Sequence, residues 1–263
     1  MRTTTSTTAR RVVPRGFGRL LGTETRLFAR DRGSVFFTLA FPALVMVGVG
    51  LVIPGMNTSI TEPGPLQGYS TIVVMLPAIL ATAMATPALT AVPVFIANYR
   101  EQGVLTRLST TPMPSAGVLV VHLIIGVAAF IVAAVLALAL AAVVFGIPMP
   151  RSPGVTVLAV VLGAVAIFAV GLVLAARVSK GSTAQGLGML LYFPMLFFAG
   201  LWTPRPIMPD GLAAVAAWTP LGAASQAIEE GWFSTQMPWQ QLAVMVAYAV
   251  VGTVLAARLF RWR

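Results

Sequence analysis

Residues 115–145 read SAGVLVVHLIIGVAAFIVAAVLALALAAVVF, and His122 is the one residue in them that can carry a charge. The hydrocarbon core of a bilayer is about 30 Å thick, so a helix crosses it in about 20 apolar residues. This run is long enough to cross and too apolar to leave any face for water. Runs of the same kind flank it at 34–53, 69–97, 154–176, 184–202 and 239–260. The expected fold is therefore an all-α polytopic membrane protein with six transmembrane helices.

Composition agrees. Of 263 residues 58% are hydrophobic and 9% charged, with a mean hydropathy of +0.91. A soluble domain carries about a quarter charged residues to wet its surface, and none of useful size fits here. The transmembrane domain is expected to fill 16–263, after a Thr-, Ser- and Arg-rich tail at 1–15 that reads as disordered and cytoplasmic.

The net charge of +10 sits just outside the apolar runs, where it meets anionic headgroups and not nucleic acid. With the N-terminus inside, all 17 basic residues except Arg151 and Arg205 fall on the cytoplasmic side. This asymmetry predicts an inner (plasma) membrane protein with both termini, 98–114 and 177–183 in the cytoplasm, and 203–238 outside.

Local patterns add detail. Phe17, Leu20, Leu21, Leu27 and Phe28 recur at helical spacing among Arg19, Arg26 and Arg30. They predict an amphipathic helix in the headgroup layer; a solvated basic leader is the alternative. Pro77, Pro87 and Pro93 predict kinks in the second span, either for packing or along a pathway. Ala129, Ala133, Ala137 and Ala141 make a small-residue stripe for close helix approach, within the subunit or at a dimer seam. Segment 203–238 is bracketed by prolines around a short apolar stretch at 212–218, and reads as short re-entrant or interfacial helices.

Several chemistries lack their residues. There is no cysteine, so disulfides and thiolate metal sites are excluded. The single lysine, Lys180, lies in VSKGST without the glycine spacing of a phosphate-cradling loop, so ATP hydrolysis would need another chain. No acidic residue falls inside a span as drawn, and His122 reads as a hydrogen-bonded packing residue. Glu229-Glu230 lack a second histidine for a protease site and read as a solvated outer turn. No catalytic or metal-binding residues are assigned.

Three stretches together resemble the ABC-2 type exporter permeases, most closely the drug and antibiotic subset typified by daunorubicin resistance. They are Arg30-Asp31-Arg32 before Phe41-Pro42; 99–108 (YREQGVLTRL) with Thr111-Pro112; and Phe193-Pro194 through Phe198-Ala199-Gly200, Pro204, Met208-Pro209 and Trp218-Thr219-Pro220-Leu221. Position 199 departs from the small hydroxyl residue common there, and 222–226 lacks the usual aromatic.

The resemblance implies a half-channel paired with a second permease subunit, as homodimer or heterodimer. Two cytoplasmic ATP-binding subunits would hold ATP and magnesium, and this chain would bind no cofactor. The cargo would be a hydrophobic drug, antibiotic or lipid-like molecule. The same architecture also exports polysaccharides, and a non-transporting membrane scaffold is the reading from another class. Residues Asn98, Arg100, Glu101, Gly103, Val104, Leu105, Arg107 and Leu108 would form the partner-coupling helix. In it Glu101, Val104, Leu105 and Leu108 share one stripe, with Arg100 and Arg107 to one side. Asn98-x-x-Glu101 also fits a capping box at a helix start, and Gly103 fits either close backbone approach or a loose loop.

Overall fold

The computed structural model describes residues 16–61, 66–104 and 116–259, and the description below concerns those. The tail at 1–15 lies outside them. They are helical, with only an isolated bridge between Ser59 and Ser70 in the first loop. Helix α1 is Phe17–Arg30. Five helices are long and apolar enough to cross a membrane. These are α2 (Arg32–Val52), α3 (Leu76–Glu101), α4 (Ala116–Phe145), α5 (Pro153–Arg177) and α9 (Trp239–Leu259). The expected span at 184–202 is α6, Gly181–Phe198, an 18-residue helix whose first turns, Gly-Ser-Thr-Ala-Gln-Gly, dilute its apolar character. The chain is an all-α polytopic membrane protein.

The residues explain the boundaries. Asp31 ends α1 and starts α2: Oδ1 accepts the Ser34 N–H at 3.2 Å, and Oδ2 accepts the Ser34 hydroxyl at 2.5 Å. These bonds hold its carboxyl below the usual carboxylate range. The second span starts later than 69 and runs further than 97. Residues 71–74 form a separate short turn, and α3 then continues through the polar residues to Glu101. Hydrogen bonding carries a helix past the end of its apolar run until a residue breaks it.

Prolines and widened turns go together. Residues Phe36–Ala40 of α2 and Thr86–Ala91 of α3 are π-helical, with Pro42 just after the first and Pro87 inside the second. Proline cannot donate its backbone bond, and a π segment absorbs the mismatch.

Between α6 and α9 lie α7 (Asp210–Ala216) and α8 (Pro220–Phe233), both too short to span. Thr219 caps α8 by accepting the Gly222 N–H at 3.1 Å, with proline at the first helical position. Residues 220–228 of α8 are buried against protein.

α3 is the central post, with 78% of its most apolar window buried. α6 lies beside it, α2 packs on α4, and α9 lies along α5. Contact is close where a side chain is missing. A Cβ at Gly171 of α5 would lie 1.9 Å from the Ala88 carbonyl oxygen, and one at Gly188 of α6 2.5 Å from that of Leu89. Both carbonyls belong to the π segment of α3. The alanine stripe of α4 is buried within the subunit, at 5% exposure for Ala129 and 0% for Ala133, Ala137 and Ala141. It is an internal packing stripe.

Candidate functional site

Two features stand out: a polar cluster where α3 ends and an apolar cavity alongside its middle.

At the end of α3 three consecutive side chains each reach a different helix. The Tyr99 hydroxyl donates to Glu24 Oε1 of α1 at 2.5 Å. Arg100 donates through Nη1 to the Ala175 carbonyl at 3.1 Å and to that of Val178. Glu101 Oε2 accepts the N–H of Gly181, the first residue of α6, at 2.9 Å. A helix C-terminus leaves unpaired carbonyls with partial negative charge, and an N-terminus leaves free N–H groups with partial positive charge. The guanidinium meets the first and the carboxylate the second. Together they pin both sides of the turn between α5 and α6. Gly181 leaves room there for the Asn98 side chain, whose Oδ1 would lie 1.7 Å from a Cβ at this position.

This geometry corrects the capping-box reading of Asn98 and Glu101. Both lie in the last turn of α3, and Glu101 caps another helix 80 residues away in the chain. The single stripe through Glu101, Val104, Leu105 and Leu108 is interrupted, because the chain turns at Gln102 and Gly103. Gly103 has φ +68°, with its N–H bonded to the Arg100 carbonyl at 3.1 Å. Nothing lies within 4 Å of where its Cβ would be, so its left-handed conformation explains the glycine, not close backbone approach. Val104 is half-buried; Leu105, Arg107 and Leu108 lie outside the described residues.

The cavity, of about 510 Å³, lies between α2, α3 and α6. Phe37 and Phe41 form one wall, Met75, Ile79, Thr86 and Thr90 a second, and Met189, Tyr192 and Phe193 a third. Both π segments contribute, through Phe37 and through Thr86 and Thr90. Among the described residues, no charged one lines it. Among its few polar groups, Thr86 Oγ1 and Tyr192 OH bond to each other at 2.9 Å. Residues 51–258 match the family described as ABC-2 family transporter protein.

The chain belongs to the ABC-2 transporter family.

No curated protein matches it. The family is the transmembrane component of ABC transporters and works with a separate ATP-binding subunit. Two of the three stretches that carry the resemblance fall within the match, while 30–42 precedes it. In this ABC-2 chain the cavity and the α3 cluster are joined through α6, which lines the first and is capped by the second.

The predicted α1 forms, with Phe17, Leu20, Leu21 and Phe28 half-buried, but Leu27 is 52% exposed. Sequence reading missed Glu24. It stands on the apolar face, four residues from Leu20 and from Phe28, and is the one buried residue of α1. A carboxylate placed in an apolar stripe was the available sign. His122 is buried by rings, stacked on Phe95 at 5.2 Å and edge-on to Tyr99 at 5.4 Å. Its expected hydrogen bond is lacking at Nε2, which is buried without a hydrogen-bond partner among the described residues. Glu229-Glu230 is no solvated turn: Arg205 Nη1 lies 3.5 Å from Glu229 and 3.3 Å from Glu230. Burial, opposed by Arg205, pushes the Glu229 carboxyl up to about 7.

Proposed function

We propose that this ABC-2 chain is the permease subunit of an ATP-driven exporter of the drug and antibiotic type. It spans the inner (plasma) membrane six times, α6 included, with both termini in the cytoplasm and α1 in the headgroup layer. It pairs with a second permease subunit, and each docks one ATP-binding subunit at 98–108, the coupling segment.

One observation carries this reading: the uncharged cavity of about 510 Å³ has α6 as a wall, and α6 is fastened at its first residue to Glu101. Movement of the coupling segment would pass to the cavity wall through that bond and the Arg100 contacts. Aromatic and methionine walls favour an apolar, uncharged cargo. A polysaccharide would need rows of polar groups, and a scaffold would need no cavity.

The test uses proteoliposomes holding the permease with its ATP-binding subunit. ATP-dependent movement of an apolar dye is expected, and the permease alone should hydrolyse no ATP. Thr90→Trp, which fills the cavity, should cut transport several-fold while leaving assembly intact. Unchanged transport in that variant would remove the cavity from the cargo path.

A further inference from the structure

Helix α1 is fastened to the bundle by one buried polar side chain. Glu24, 7% exposed, is held on one oxygen by the Tyr99 hydroxyl. Its other oxygen, Oε2, faces His122 Nε2 at 3.8 Å, beyond hydrogen-bond range. That nitrogen is buried, in a side chain 4% exposed, and has no hydrogen-bond partner among the described residues. Next to the pair is a cavity of about 20 Å³ walled by Leu27, Phe28, Phe95 and Gly126. It has room for about one water.

A buried carboxylate with one donor is under-satisfied, since each of its oxygens can accept more than one bond. A neutral imidazole offers Nε2 either as donor or as acceptor; an imidazolium offers it only as a donor, with a charge. In a low-dielectric site the charged pair attracts strongly once both partners are present. Uptake of one proton therefore adds the second donor that Glu24 lacks. By linkage, whatever strengthens proton binding at the pair strengthens docking of α1.

The titratable groups that meet here come one from each packed helix: Glu24 from α1, Tyr99 from α3 and His122 from α4. Arg100, the next residue after Tyr99, donates to carbonyls at the end of α5. Arg19, Arg26 and Arg30 of α1 are exposed.

We propose that Glu24 and His122 form a one-proton binding site that latches α1 to the membrane bundle. With the proton bound α1 is held, and with the proton lost it loosens. Tyr99 adjoins Arg100 and Glu101, so the latch state reaches the segment that pins α5 and α6. The site stands apart from any assignment of cargo.

The chain has one histidine and no cysteine, which makes the test direct. In full-length protein in lipid nanodiscs, ¹⁵N-histidine labelling reports His122 alone. A nitroxide on Thr25→Cys, on the exposed side of α1, reports docking. As the pH is raised, the imidazole should lose its second proton. The ratio of mobile to ordered label should rise about tenfold in step, as expected for losing a charge-assisted hydrogen bond. His122→Gln removes the titrating group and should leave the label's order independent of pH, and Glu24→Gln should likewise abolish the response to pH. The proposal fails if the label still follows pH in His122→Gln. It fails equally if the wild-type imidazole titrates while α1 stays fixed, or α1 moves while the imidazole does not titrate; those readouts need no change at the pair.

Discussion

The second and third spans invert the rule that holds in water. α4 is the more apolar of the two, and only 28% of its most apolar stretch is buried. α3 is less apolar, and 78% is buried. Lipid receives apolar side chains as well as a protein core does, so hydropathy no longer sorts a helix inward. Polar groups do the sorting, because facing lipid is what costs them. α3 carries three threonines that bond back to carbonyls four residues earlier: Thr82 at 2.8 Å, Thr86 at 2.9 Å and Thr90 at 2.6 Å. It also carries the prolines, a π segment and the Tyr99-Arg100-Glu101 cluster. α4 shows a packed alanine stripe on one side and valines to the exterior on the other, with Val135 60% exposed.

Packing against the two spans should therefore differ in tolerance, and alanine at one glycine on each contact measures it. At Gly171 the new Cβ would meet the Ala88 carbonyl of α3 at 1.9 Å, and backbone cannot step aside. At Gly126 of α4 it would meet the Phe168 ring at 2.8 Å and a Val92 methyl at 3.1 Å, both able to shift. Gly171→Ala should cost about 3 kcal/mol or more, and Gly126→Ala about 1 kcal/mol, the range for overpacked interiors. Thermal unfolding of the two variants in detergent checks this. Equal losses would show that the α3 backbone at Ala88 yields as readily as the Phe168 and Val92 side chains.

That contrast also marks where the sequence is readable. Apolar runs located the long helices within a few residues, except at both ends of the second. The regular spacing of Ala129, Ala133, Ala137 and Ala141 gave the packing stripe, and the prolines around 203–238 gave the two short helices, of which α8 is buried. These features are local and periodic. The polar fastenings are neither. Glu101 meets Gly181, Arg100 meets Ala175 and Tyr99 meets Glu24 across 75 to 80 residues of chain, and no spacing encodes such pairs. Asn98 and Glu101 were misread as a helix start because polarity changes at 98, while the helix ends only where Gly103 turns left-handed. The π segments leave no sign beyond their prolines.

The N-terminal end of α3 has its own buried carboxyl group. Glu229 borders a small pocket with Val74, Met75, Pro77 and Ala78, and its carboxyl is pushed up to about 7 from an ordinary 4.5. A raised carboxyl pKa stabilises the fold most below the unfolded value, and this contribution is lost as pH rises through the folded value. Stability should fall between about pH 4.5 and about pH 7, by roughly 2 kcal/mol given about 1.4 kcal/mol per unit and some relief from solvent. Glu229→Gln should flatten that slope in melting curves taken across this range. An unchanged slope would assign the pH dependence to other groups.

The smallest effect on stability, and the most telling for function, is expected at Glu101. Its carboxylate caps α6 through the Gly181 N–H, and removal of such a cap costs about 1 kcal/mol. The charge adds a few tenths at an exposed helix N-terminus, because solvent and salt screen it. Glu101→Ala loses both contributions, whereas Glu101→Gln keeps an oxygen to accept the bond and loses only the charge. The alanine variant should therefore melt lower by about 1 kcal/mol while the glutamine variant stays close to wild type. Export measured with the ATP-binding subunit asks a separate question, whether the carboxylate also serves coupling. Glu101 is exposed, so a cation on the partner can reach it without displacing α6. Coupling through that charge predicts that Glu101→Gln keeps its melting temperature and loses export. If glutamine exports like wild type and alanine is merely less stable, Glu101 is a cap alone. Coupling then rests on Arg100 and the residues that follow Gly103.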